Sequence, residues 1–430
     1  MTSDLQGSST DRPPRGSTRA RQPNPLAHCR RRARVDSADV VASQAGGDLR
    51  SQATALADTF GARALATEQL GRLPDETLSQ LLDIGIARVL VPRQWGGLEL
   101  EFSEVIDVLT TIAQACMSTA WCAALYAEHP WVLAHFDERA QTDVWSRGPD
   151  VPVCMSVAAL GTASRHGDGF DLEGTWPFVS GCDHAPWFLL AATWNDDTRE
   201  RMGLCLVPRS DVEIDHTSWH VAGLRGTGSK TLSVHGAQVP RYRMRDSEAL
   251  VMAPLFQGRP TPPLFSQPFG GTLGLVLAAV AVGGAEGALE NFRRRAAQRV
   301  LRYQNRVQAA DPAAHLDLAE STLRATSARL LLEDACALVR TAGERSEQLS
   351  VFTLAELRAR KAFVVRLCTE AIDRLFAASG GGALQESQPL QRQWRDVHAI
   401  QAHAAMNWSA HGQNYGGITV GLEPTIRRPW

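Results

Sequence analysis

Beyond residue 45, apolar residues recur at helical spacing: Leu56, Ala57, Phe60, Ala64 and Leu65, then Leu78, Leu81, Leu82, Ile84 and Ile86, then Val105, Val108, Leu109 and Ile112. A stripe repeating every three to four residues gives a helix one apolar face, so residues 46–150 are predicted to form an N-terminal helical domain. Pro74, followed by Asp75 and Glu76, marks a helix start, because proline needs no intrahelical N–H partner and acidic side chains complement the positive end of the helix dipole. Ser118 and Thr119 precede another helical run at residues 120–136. Between residues 151 and 250 the pattern becomes short β-type runs, at 151–157, 187–193, 202–207 and 231–234, divided by turn sequences such as His166-Gly-Asp-Gly169. These predict a small central β-domain.

After a Pro-rich linker at residues 260–263, helical patterns return at 271–307, 312–342, 354–379 and 390–412. The third carries the stripe Val364, Leu367, Cys368, Ala371, Ile372, Leu375, Phe376 and stops at Gly380-Gly381-Gly382, a natural C-terminal brake. Residues 264–430 therefore read as a C-terminal four-helix bundle. The order of helical block, β-domain and bundle describes an α+β, mainly α, fold and excludes architectures in which strands and helices alternate throughout. Residues 1–45 are rich in Pro, Ser and Arg, with Arg30, Arg31, Arg32 and Arg34 clustered. They read as a disordered basic tail, since no aromatic residues interleave with the arginines as a nucleic-acid arm would require.

Composition narrows the classes. With 44 basic and 46 acidic side chains in 430 residues, no chain-wide field draws the protein to nucleic acid or to an anionic membrane. The apolar run at 270–285 is rich in Gly and Ala and shorter than the roughly 20 residues of a membrane span, so it suits a buried helix. Eight cysteines are scattered without a CxxC pair, and the N-terminus lacks the apolar core of a signal peptide, so reduced thiols in a cytoplasm are expected. No GxGxxG follows a strand, and GxxxxGK[ST], HExxH and GxSxG are missing, so no nicotinamide, ATP or zinc site is announced. Cys182, Asp183 and His184 are adjacent, and three neighbours on a tight turn cannot all reach one ion without strain, so no metal is expected.

Three segments carry a more specific signal. Trp219-His-Val-Ala-Gly-Leu-Arg-Gly-Thr-Gly-Ser229 precedes Leu232-Ser-Val234 and Val239-Pro240. By composition alone its glycine-rich part could cradle a phosphate through backbone N–H groups or form a plain β-turn. The second is Gly174-Thr-Trp-Pro-Phe-Val-Ser-Gly-Cys-Asp-His-Ala-Pro-Trp187. The third runs from Ser379-Gly-Gly-Gly-Ala383 through Pro389-Leu-Gln-Arg392 to Trp394-Arg-Asp-Val-His-Ala-Ile-Gln-Ala-His403. In this order, across residues 85–417, the chain resembles proteins of the acyl-CoA dehydrogenase fold. It is most similar to their flavin-dependent monooxygenase branch, which includes p-hydroxyphenylacetate and related phenol hydroxylases, thioether oxygenases and amine or amino-sugar N-hydroxylases. The resemblance implies an oxygenase component that takes reduced FMN or FAD from a separate NAD(P)H:flavin reductase. With O2 it would form a flavin C4a-hydroperoxide and hydroxylate a small, aromatic substrate. It further implies a homotetramer, and the Arg- and Ala-rich composition associates the chain with specialised metabolism such as antibiotic biosynthesis.

Site residues follow from the resemblance alone. Ser180 stands where similar oxygenases hydrogen-bond the flavin near N5, with Trp176, Phe178 and Arg225 as further flavin contacts. His403, taken to lie on the C-terminal helix, matches the acid-base histidine, and His129 and Ser156 match substrate-contacting positions. Without the resemblance, such a serine caps a turn and such histidines are core or surface residues. Arg395 and Asp396 suit an ion-pair role, and Arg293, Arg294, Arg295 and Arg299 either a solvated face or a flavin phosphate. A dehydrogenase needs a carboxylate base, and Asn414-Tyr-Gly-Gly417 has no acid where one is common, leaving Glu286 as an alternative base. Three other readings stay open: an N-hydroxylase using a carboxylate such as Glu128 or Glu173, an acyl-CoA dehydrogenase, and a non-catalytic flavin-binding subunit.

Overall fold

The computed structural model describes residues 37–196, 199–252 and 261–426. Beyond the first turn of α1 (Ser37–Leu70), these belong to one compact unit, Val41–Trp430. The expected basic tail lies outside the described residues as far as residue 36, and α1 has begun by Ser37, ahead of the boundary read from the sequence. The helical block continues as α2 (Asp75–Asp83), α3 (Phe102–Ala115), α4 (Met117–Leu133) and α5 (Glu138–Trp145). Pro74 caps α2, and Glu101 and Glu104 close a reciprocal capping box at the start of α3. Every residue of α4 is buried, which marks it as a central helix packed on all sides.

Seven strands form one sheet: β1 (Val153–His166), β2 (Gly169–Val179), β3 (Trp187–Asn195), β4 (Glu200–Pro208), β5 (Glu213–Asp215), β6 (Lys230–Pro240) and β7 (Met244–Asp246), in the order β5-β6-β2-β1-β3-β4-β7. Only the β1–β3 pair is parallel. The β2–β6 register slips by one residue between Trp176 and Val179, a bulge that reverses which face of the strand each side chain takes. Before it, Trp176 points into the core. A Cβ at Gly161 would meet its ring at 2.3 Å, so the glycine leaves the slot that the indole fills.

The C-terminal part comprises α6 (Ser247–Met252), α7 (Phe269–Thr272), α8 (Leu275–Gln298), a hairpin of β8 (Val300–Leu301) and β9 (Arg306–Val307), α9 (Pro312–Glu344), α10 (Val351–Ala378), α11 (Pro389–Ala402) and α12 (Trp408–Thr419). The helix expected at 271–307 is divided at Gly274, whose φ of +87° suits glycine. The stretch Phe269–Gln298 is long and apolar enough to cross a membrane, yet 89 % of its most apolar window is buried inside the protein. The helix expected at 390–412 is broken at His403, which is extended (φ −64°, ψ 136°). Arg295 and Arg299 donate to the carbonyls of Ser379 and Ala378 at the end of α10, so they cap that helix rather than form a free charged face. Arg293 and Arg294 are exposed.

Candidate functional site

Ser180 leaves the end of β2 in a turn that is held from four sides. Gly181 has φ +72°, and a Cβ there would lie 2.5 Å from the Tyr126 hydroxyl, which donates to the Gly181 carbonyl at 2.8 Å. Cys154 on β1 donates to the Ser180 carbonyl at 3.0 Å, Cys122 on α4 to the Thr227 carbonyl at 3.7 Å, and Cys182 to the Gly228 carbonyl at 3.4 Å. Burial raises all three thiol pKa values, that of Cys182 to about 12. They therefore stay protonated, which keeps them donors and keeps them unreactive toward oxidants.

The Ser180 hydroxyl accepts from Trp121 Nε1 at 3.1 Å and lies 2.6 Å from Ser229 Oγ, which lies 2.6 Å from Thr227 Oγ1. The glycine-rich loop thus supplies hydroxyls rather than an open phosphate cradle. A Cβ on Gly226 would meet Thr67 and Ser118, and one on Gly223 the Arg395 carbonyl at 2.1 Å, so these glycines permit close packing between α1, α4 and α11. Asp396 accepts the Leu224 N–H at 2.6 Å, and Arg395 donates to the Ala222 carbonyl at 2.6 Å and pairs with Glu68. Both bind the loop within the chain, in agreement with a structural use. Arg225 lies 3.7 Å from Glu68, facing a cavity of about 390 Å³ lined by Glu68, Arg225, Phe376, Trp394 and Arg395. The Arg225 side chain thus turns toward Glu68, while its carbonyl accepts from Trp219 Nε1 at 2.7 Å, and Trp219 packs on Phe178.

Trp176 does not offer a face to any ligand. It is fully buried and donates to the Ala191 carbonyl at 2.8 Å, so the expected flavin contact at this residue is corrected to a core role. Past the bulge, Phe178 is 71 % exposed at φ +61°, a conformation costly for a non-glycine residue, and meets Trp219 edge-on with ring centres 6.2 Å apart. An exposed aromatic held in this way beside Ser180 is suited to lie against a flat ligand.

His403 terminates α11 instead of riding on a helix, which corrects its expected placement. Its Nδ1 accepts the Ala405 N–H at 3.3 Å, so the ring proton sits on Nε2. Its ring meets Trp121 edge-on at 5.5 Å, joining it to the Ser180 turn through one indole. Surrounding protein lowers its pKa to about 4, although the residue is exposed. Water reaching the exposed ring offsets part of that push.

His129, two turns beyond Trp121 on α4, is buried and has the opposite tautomer. Its Nδ1–H donates to the Val153 carbonyl at 2.8 Å, leaving Nε2 as an acceptor. Half-buried Ser156 shares a strand face with Cys154, by the alternation of β1, and Cys154 faces Ser180. The first residues of β1 thus link His129 to the Ser180 turn. Trp121, Tyr126, Thr227 and Ser229 were not singled out from the sequence. The spacing of Trp121 to His129 was the available signal for the first, whereas hydroxyl partners leave no mark in spacing.

The remaining candidates are engaged elsewhere. Glu286 is held by Arg329 at 2.8 and 3.0 Å. Asn414, inside α12, accepts from the Thr425 and Ile426 N–H groups. Cys182, Asp183 and His184 turn to Gly228, Lys230 and Leu73 respectively.

Buried neutral histidines give a pH signature. His129 and His135 have pKa values lowered from 6.5 to about 4 by burial. Between those values the unfolded chain binds more protons, so this stability is complete above 6.5 and is lost as pH falls toward 4. Moving from about pH 7.5 to about pH 5.5 is expected to cost about 1 kcal/mol per ring, read as a falling urea midpoint. An unchanged midpoint would show that these rings are not buried neutral.

Residues 275–408 match the family described as acyl-CoA dehydrogenase, C-terminal domain. The chain is 35% identical over 381 residues to the oxygenase component of an FADH2-dependent resorcinol hydroxylase from a Rhizobium species, covering 86% of this chain and 93% of that protein. It is 32% identical over 365 residues to the oxygenase component of p-hydroxyphenylacetate 3-hydroxylase from Acinetobacter baumannii, covering 84% and 86% respectively. Among solved structures, XiaF from a Streptomyces species, in complex with FADH2 and glycerol, superposes with a TM-score of 0.84 at 26% identity, covering 90% of this chain and 98% of that one.

Proposed function

The chain belongs to the acyl-CoA dehydrogenase-fold oxygenase components of two-component flavin hydroxylases, and we propose that it hydroxylates a small phenolic molecule with reduced flavin delivered by a separate NAD(P)H:flavin reductase. It is a reduced-flavin-dependent monooxygenase, and the flavin, when bound, supplies the electrons that activate dioxygen. FMN and FAD both suit this reading. The residues fit such a cofactor: Phe178 offers an exposed ring at the end of β2, and the Ser180 oxygen beside it is backed by a fully bonded network. In this reading Phe178 lies against the isoalloxazine, Ser180 meets N5, and Trp121 walls the site from water.

The observation that carries the phenolic substrate is the pair of histidines with opposite tautomers. His129 Nε2 accepts a hydrogen bond from the phenol hydroxyl, and neutral His403 Nε2–H donates to oxygen on the reacting side. Ser156 steadies the substrate hydroxyl. An amine substrate loses support, because Glu128 is taken by the Gly274 N–H at 2.7 Å and Glu173 is exposed on β2. The Arg329 clamp on Glu286 argues against a dehydrogenase base in the same way. Leu316, Leu323 and Leu330 lie exposed at seven-residue spacing on α9, which supports burial against a second copy within a homotetramer. The described cysteines are all buried and unpaired, which supports a reducing cytoplasm.

The test supplies photoreduced FMN or FAD, 18O2 and either resorcinol or p-hydroxyphenylacetate without NAD(P)H. A hydroxylated product carrying one 18O atom is expected. Turnover without oxygen, or acyl-CoA-driven reduction of an artificial acceptor, would place the reaction among the dehydrogenases.

A further inference from the structure

The hydroxyls behind Ser180 run in a single direction. Thr227 Oγ1–H donates to the Leu224 carbonyl at 2.8 Å, and a carbonyl can only accept while a hydroxyl carries one proton. Thr227 therefore receives the Ser229 proton across 2.6 Å, and Ser229 receives the Ser180 proton across 2.6 Å. Ser180 in turn accepts from Trp121 Nε1. Its only proton is directed inward, so what it has left to offer a ligand is a lone pair. The polarity is anchored at the far end, where Asp396 on α11 holds the Leu224 N–H and Leu224 is fixed at φ +52°. Thr227, Ser229 and Ser180 are 1, 6 and 9 % exposed, so bulk water does not compete for their bonds.

We propose that Thr227 and Ser229 make Ser180 an obligate hydrogen-bond acceptor and thereby set the site's preference for reduced over oxidised flavin. Reduced flavin carries a proton on N5 and completes the bond. Oxidised flavin presents a lone pair at N5, which would face the Ser180 lone pair without a proton between them, and an unmade bond in a dry site is costly. An enzyme fed by diffusing flavin has to retain the reduced form and release the oxidised one, and here that discrimination resides in the direction of one hydroxyl. The inference rests on the proposed placement of Ser180 at N5.

The test is anaerobic titration of the full chain with reduced FMN, and parallel titration with oxidised FMN, to obtain the ratio of the two affinities. Ser229→Ala removes the acceptor of the Ser180 proton with little change of volume, so that hydroxyl can turn outward. The ratio is expected to fall about tenfold, chiefly through tighter binding of oxidised FMN, and Ser229→Thr is expected to restore it. Ser180→Ala separates the two claims. If it leaves reduced-FMN affinity unchanged, Ser180 does not meet N5 and both claims fall. If it weakens reduced-FMN binding while Ser229→Ala keeps the ratio within about twofold of the parent, the hydroxyl chain alone is overturned. A measurement on the unaltered protein guards against misfolded variants: bound reduced FMN labelled with 15N at N5 is expected to show a hydrogen-bonded N5–H, and an unbonded N5–H would overturn the proposal.

Discussion

A His403→Ala variant is expected to hydroxylate a phenolic substrate about a hundred- to ten-thousandfold more slowly than the parent, the range that a positioned acid-base group supplies, while binding reduced flavin almost as well. The ring is mostly neutral near pH 7, because the usual imidazole pKa of about 6.5 is lowered further by the surrounding protein. The Ala405 N–H occupies Nδ1, so Nε2–H is the proton presented to the reacting oxygen. Alanine also deletes a cap on the turn at residues 404–406, a loss worth about 1 kcal/mol. His403→Asn separates the two effects, since its side-chain carbonyl can take the Ala405 N–H while no Nε2–H remains. Equal slowing in both variants, with reduced-flavin affinity close to the parent's, fits the catalytic role. A rate in either variant within about threefold of the parent's, far short of the expected range, rejects it.

Lys361→Met is expected to lower stability by about 2–6 kcal/mol, roughly 1–3 kcal/mol for each of two buried carbonyls left without its donor. Lys361 is 3 % exposed in α10 and donates to the carbonyls of Gly271 and Leu273 at 3.1 and 2.5 Å. Glu128, one residue from His129, accepts the next N–H of the same break, that of Gly274, at 2.7 Å. Burial pushes the Glu128 pKa up and the Lys361 pKa down, and their mutual attraction opposes both. Through these separate bonds the two residues clamp the entry of α8 to α4 and α10. Methionine leaves two carbonyls without their donor and removes the positive charge whose attraction favours the Glu128 carboxylate. Urea midpoints measure the loss, and pairing Lys361→Met with Glu128→Gln should recover part of it, because the double change leaves no uncompensated carboxylate. A Lys361→Met variant within about 1 kcal/mol of the parent, well below the cost of two unmet buried carbonyls, would show that Lys361 is not a buried clamp.

The candidate site was legible in part. Phe178 and Ser180 lie in a segment that carries the family resemblance, His129 and Ser156 were matched through that resemblance alone, and the structure links the Ser180 turn to His129 through β1 and to His403 through Trp121. The resemblance places Trp176 and Phe178 together at the flavin, and only the bulge between them sends Trp176 inward and Phe178 outward. His403 was misread because the sequence around it has no Gly or Pro to end a helix. Extended backbone at that residue is stabilised locally by its own Nδ1 capping the next turn.

By itself the sequence determined the order of elements, since periods of 3.6 and 2 and the glycine brakes act between near neighbours and need no knowledge of what packs on them. It also determined that the flavin reading required no nucleotide-binding motif of the alternating α/β kind. The tertiary structure alone decided which side of each element is occupied and by what. It sent Trp176 inward against Gly161, brought Lys361 and Glu128 to the same break before α8, and aligned Trp121, Ser180, Ser229 and Thr227 from three separate segments. Hydrogen bonds depend on distances of about 3 Å between residues far apart in the chain, and no local pattern encodes such distances.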